Sequence, residues 1–173
     1  MNTRLYLFSR FEDYLDDTYQ DATVKSFCEF SNISRTTFYR FFQNIDDLVI
    51  SFYQYQADII FLNSKEMTYY EIMYLHGELL LKDKYRAMIL NYYKHNPNDF
   101  IRYVSDNFFS FSEKYYYNHH HEKLSETQLF ALKIYVKGAA YIILEILLDN
   151  LDYQLDDLNT KLDIVKPDFL NID

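Results

Sequence analysis

The sequence predicts an all-α protein, on three observations. Its 173 residues contain only 2 Gly and 2 Pro, too few for the turns of a sandwich or barrel. Hydrophobic residues make up 49% and recur at helical rather than alternating spacing. Side chains that cap helices also punctuate the chain from Thr23 to Ser125.

The elements follow in order. Residues 4–19 form a first predicted helix, with Leu5, Phe8, Phe11, Leu15 and Tyr19 on one face. Asp21 or Thr23 caps a short second helix, about 24–31, which Asn32 ends in the left-handed conformation. Ser34 caps a third, about 35–42. Asn44 caps a fourth that runs to about Asn63, with Asp46 and Asp47 at its positive end. Thr68-Tyr69-Tyr70-Glu71 and Ser125-Glu126-Thr127-Gln128 are capping boxes, stapled by Met67 with Ile72 and by Leu124 with Leu129. Asn96-Pro97 is an N-cap followed by proline at the first helical position. Further helices are expected over 69–81, 84–95, 97–117, 126–150 and 154–165. No repeat, linker or strand-like alternation interrupts them.

Composition narrows the function. The single cysteine, Cys28, leaves no internal disulfide and fits a reducing, cytoplasmic setting. The N-terminus does not read as a signal peptide, and Lys133, Lys137 and Glu145 interrupt the most apolar run, Leu129 to Leu151. A membrane role is therefore not expected. The net charge of −9 argues against a protein coated in nucleic acid, but acid is concentrated outside one window. Between Thr23 and Asn44, Lys25, Arg35 and Arg40 stand against Glu29 alone. No nucleophilic triad, P-loop or glycine-rich phosphate motif occurs, so neither an enzyme nor a cofactor is expected. His119-His120-His121-Glu122 invites a metal reading. Adjacent helical histidines diverge by about 100°, so a polar connection is the simpler account and no metal site is assigned.

Residues 24–42 carry the sharpest pattern. Two short helices that cross steeply need a small residue at their approach, which Cys28 supplies. Their turn needs a residue that tolerates positive φ, which Asn32 supplies. Phe27, Ile33, Phe38 and Phe41 fall at inward positions. Arg35, Thr36, Thr37 and Arg40 are left outside, where they can reach base edges and phosphates, and the Tyr39 hydroxyl can reach a phosphate. This is the pattern of a helix-turn-helix.

The run from Thr23-Val24 through Phe27-Cys28, Ser31-Asn32-Ile33-Ser34 and Thr37-Phe38-Tyr39 to Phe42 resembles the DNA-binding segment of the tetracycline-repressor (TetR/AcrR) family. That pattern reads roughly T-V-x-x-I-A-x-x-A-G-V-S-x-x-T-x-Y-x-x-F. Thr3 and Asn44-Ile45-Asp46-Asp47-Leu48 extend the register, so the resemblance covers about 3–49. Ile45 stands where the family often has a phosphate-binding lysine, and Thr36 where glycine is common.

The resemblance implies an N-terminal three-helix helix-turn-helix DNA-binding domain (1–50) and a C-terminal helical effector-binding and dimerisation domain (51–173). The expected partners are a palindromic double-stranded operator, a second copy of the chain and a small apolar or aromatic effector. Thr23, Ser34, Arg35, Thr36, Thr37, Tyr39, Arg40 and Asn44 are the expected DNA-binding residues. Gly138, Ala139, Ala140 and Ile143 are expected at the dimer interface, and Tyr70, Tyr74, Tyr92 and Tyr103 at an effector pocket. Repression relieved by effector is the expected mechanism. An activator, a partner-regulated binder without a pocket, and an interaction protein with a vestigial helix-turn-helix remain alternatives.

Overall fold

The computed structural model describes residues 3–18 and 22–171. They form α-helices and a short 3-10 turn, with no strand among the described residues. The helices are α1 Thr3–Thr18, α2 Val24–Phe30, α3 Arg35–Tyr39, α4 Ile45–Asn63, α5 Tyr69–Leu81, α6 Asp83–His95, α7 Pro97–His120, α8 Glu126–Leu147 and α9 Leu155–Val165. The turn, Asp168–Leu170, lies against α7.

Local chemistry explains most boundaries. The hydroxyls of Thr68 and Ser125 accept from the amides three residues on, and Glu71 and Gln128 return the bond to the cap amides. Asn44 Oδ1 accepts from the Asp47 amide at 2.8 Å, while Asp47 takes the Gln43 amide at 2.8 Å. Left-handed residues close three helices: Asn32 (φ 52°) after α2, His121 (φ 56°) after α7 and Asp149 (φ 60°) after α8. Asn96 stands at the start of α7, but its side chain does not cap it. Its Nδ2 instead donates to Asp46 Oδ2 at 3.2 Å and to the Tyr92 carbonyl at 3.3 Å.

The core is one connected cluster. Phe8, Phe11 and Leu15 of α1 are buried as expected, but Leu5 is 45% exposed. Leu7 and Tyr14 complete the buried stripe instead, because a helix presents positions 7, 8, 11, 14 and 15 to one side. Tyr19 and Asp21 lie outside the described residues. The α4 helix runs unbroken through Ser51, and its Phe52 meets Phe8 and Phe11 of α1 and Tyr85 of α6. Farther from α1, α7 and α8 pack along each other and α9 covers α5. Gly77 permits that cover, since a Cβ there would lie 2.5 Å from a Leu155 methyl.

His76 is enclosed between Phe108 and Phe111, and its Nδ1–H donates to the Ile72 carbonyl at 3.0 Å. Burial lowers its pKa below the ordinary histidine value, with the Ile72 bond acting the other way. The folded state thus resists a proton that the unfolded chain accepts. Its contribution to stability is full above the unfolded value and is lost as pH falls below it. Melting temperature is expected to fall between pH 7.5 and 5.5, and to fall less in His76→Phe. Equal pH dependence in the two proteins would show that His76 does not carry the effect.

Candidate nucleic-acid interface

The two helices α2 and α3 meet through a turn whose hydrogen bonds are fully specified. The Ile33 amide donates to the Cys28 carbonyl at 3.0 Å and the Asn32 amide to the Glu29 carbonyl at 3.3 Å. With Asn32 left-handed, this is a Schellman closure that turns the chain sharply into α3. Cys28 is buried at the crossing, and burial raises its thiol pKa, opposed by the nearby Arg35 charge. Asn32→Gly is expected to be neutral or stabilising. Asn32→Val should lose about 1–2 kcal/mol to the left-handed strain. Equal melting temperatures for the two would contradict the turn geometry.

Phe27 and Phe38 are fully buried and meet edge to face at 6.1 Å. Ile33 and Phe41 are only half-buried, and Phe42 fills the inner position expected of Phe41. Phe42 follows Phe38 by four residues and its amide still donates to the Phe38 carbonyl at 3.1 Å, so it shares the inward side of Phe38 and packs against Phe8 and Phe38.

The outer surface holds the polar residues singled out from the sequence. Arg35, Thr36, Tyr39 and Arg40 are exposed, and Thr37 is half-buried. Neither Arg35 nor Arg40 makes an ion pair among the described residues, so both charges face solvent uncompensated. Thr23, Ser34 and Asn44 are exposed N-caps whose side-chain oxygens are already engaged. Thr37 shares the cap of α3, its amide and hydroxyl both bonded to Ser34 Oγ. The side chains of Arg35, Thr36 and Arg40 are thereby left exposed, while the caps fix the helix.

Two features of this surface escaped the sequence reading. Ser26 completes a capping box with Thr23, although serine is a rarer partner than Glu or Gln at that place. Arg4 lies over the rings of Phe8 and Phe42, at 5.5 and 5.8 Å, and adds a cation beside the turn after α3.

The expected dimer and effector residues fare differently. Gly138 is exposed, but Ala139, Ala140 and Ile143 are buried within the chain's own core. The outward face of α8 carries Phe130, Ile134 and Tyr141 instead, each more than half exposed. The helical repeat turns 139, 140 and 143 to the side opposite 134, 138 and 141.

Nor do the four tyrosines converge on one cavity. The Tyr70 carbonyl accepts from Asn159 of α9, and Tyr74 faces Asp156, which raises its pKa. Tyr103 packs between Tyr53 and Tyr92 and donates to the Ile50 carbonyl at 3.1 Å. His119 and His120 rest on Tyr115 and Tyr116 of their own helix, and no metal-holding cluster occurs among the described residues. No helix of the described residues is long and apolar enough to cross a membrane.

The architecture is thus that of an all-α protein with a helix-turn-helix at one end of a larger helical body. Among solved structures it is similar to the "Dihydroxyacetone kinase operon activator DhaS", with a TM-score of 0.66. Identity is 15% over 95% of this chain and 92% of that one, a likeness of fold. No protein-family model matches the chain. No curated protein matches it either.

Proposed function

We propose that the chain is a cytoplasmic, homodimeric DNA-binding transcription regulator. The observation that carries this reading is the pair of uncompensated arginines, Arg35 and Arg40, on the exposed side of a correctly closed helix-turn-helix. Thr36, Thr37 and Tyr39 supply hydroxyls beside them, with Thr23, Ser34 and Asn44 at the helix starts. Arginine donates bidentately to guanine, and two half-sites on a palindrome would engage two copies of α3. In this reading the protein represses, and a small effector releases it. The printed role of the structural neighbour, an operon activator, favours activation as a second reading. Binding to DNA upstream of its own gene, measured against salt, tests the first step. Log affinity should fall linearly with log salt. Binding that no sequence improves over random duplex would leave an interaction protein. Reporter output on deleting the protein separates repression from activation.

Dimerisation is argued from α8. Gly138 lies mid-helix with nothing within 4 Å of where its Cβ would be, so the fold of the single chain does not require a glycine there. Glycine in a helix interior costs about 1 kcal/mol relative to alanine. A bare position between Ile134 and Tyr141 suits the close crossing of a second α8. Gly138→Glu is expected to yield monomers whose helix content is unchanged. A wild-type chain that sediments as a monomer at micromolar concentration would refute the interface.

A further inference from the structure

The α4 helix leaves the helix-turn-helix and extends about 27 Å into the body. Its far end borders a groove of about 590 Å³ on the outer side of α7. Phe61, Tyr117, Leu124 and Leu129 give the groove an apolar surface, and Lys114 and Lys123 stand at its walls. That volume lies in the range of small-molecule sites.

The charge of the groove is opposite to that of the protein. The chain carries −9 overall, yet two lysines face one carboxylate here, Glu113. Neither lysine makes an ion pair among the described residues. The Lys114 ammonium lies 5.4 Å from the centre of the Phe61 ring, so its charge is held over the apolar surface. An apolar surface with an uncompensated cation above it is complementary to a molecule with an apolar body and an acid head.

We propose that this groove binds an amphipathic carboxylate, its acid directed to Lys114 and Lys123 and its chain or rings laid on Phe61, Tyr117, Leu124 and Leu129. A ligand seated there presses on the far end of the helix that begins at the DNA-binding surface. Its effect on operator affinity rests on the function proposed above; its binding does not.

Binding is therefore measured without DNA, by calorimetry on the full chain, with sedimentation run in parallel. The probes are decanoate, octanoate, decanol and decyltrimethylammonium, below their micellar concentrations. Decanoate is expected to bind, and to lose about fourfold in affinity for each buried methylene removed. Decanol should bind more weakly and the ammonium compound not at all. Lys114→Met should weaken decanoate about tenfold and leave decanol unchanged, while Lys114→Arg retains decanoate. Equal binding of all three decyl probes, or a Lys114→Met protein that binds decanoate like wild type, overturns the proposal. Absence of decanoate binding, together with monomers on Tyr117→Asp, overturns it in favour of a second copy of the chain. Loss of DNA binding alone bears only on the function proposed above.

Discussion

A chain carrying Arg35→Ala and Arg40→Ala together is expected to lose operator affinity by roughly 30-fold or more, at about 1–3 kcal/mol for each lost bidentate contact. Both side chains are exposed and without ion-pair partners among the described residues, so the fold should be undisturbed. Fluorescence anisotropy with a labelled operator measures the loss, and circular dichroism checks the fold. The single variants divide the effect. A variant that mainly reduces the salt slope has lost a phosphate contact, whereas one that relaxes preference at a single base pair has lost base readout. Unchanged affinity in the double variant would place the DNA surface elsewhere.

Phe38→Ala should act through stability. Phe38 is completely buried and joins Phe27 to Phe42, so it fastens α3 to the rest of the unit. Truncating such a ring costs about 3–5 kcal/mol, a large share of the roughly 5–15 kcal/mol that holds a typical domain folded. The denaturation midpoint should fall steeply, and DNA binding should fail at temperatures where wild type binds. Phe38→Leu is expected to recover most of the midpoint, because it restores apolar volume. A loss below about 1 kcal/mol would mean that the site collapses without cost, contrary to its packing.

What could be read in the sequence was local. Ser34, Asn44, Thr68 and Ser125 announce helix starts because a cap needs only its own side chain and an amide three residues away. Asn32 was legible for the same reason: its conformation is a property of one residue and one turn. What escaped depends on distant partners. Leu5 is periodic with the α1 core yet is 45% exposed, because it sits at the rim of a groove beside Ile50 and Tyr55 of α4 rather than beneath it. Asn96 has the chemistry of a cap, but Asp46, fifty residues away, competes for its amide. Spacing could not say which side of α8 turns inward, since that helix is apolar nearly all round. Small residues suit a close approach, and Ala139 and Ala140 do serve one, toward the chain's own core. Only Gly138 remains outside. The four tyrosines share a chemistry, but tertiary packing divides them into two pairs, Tyr70 with Tyr74 on α5 and Tyr92 against Tyr103.

The shared burial of Phe52 has a consequence for modularity. This side chain belongs by position to the body and by contact to the helix-turn-helix head, since it completes the ring cluster of Phe8 and Phe11 while touching Tyr85. Tyr85 in turn donates to Glu12 of α1 at 3.2 Å. A head excised after residue 50 would lose the ring that closes its own interior, and could not be transplanted intact onto another protein. Head and body share one cooperative fate. A lesion deep in the body is therefore expected to lower the folded fraction of the helix-turn-helix, even when no residue of that unit has changed.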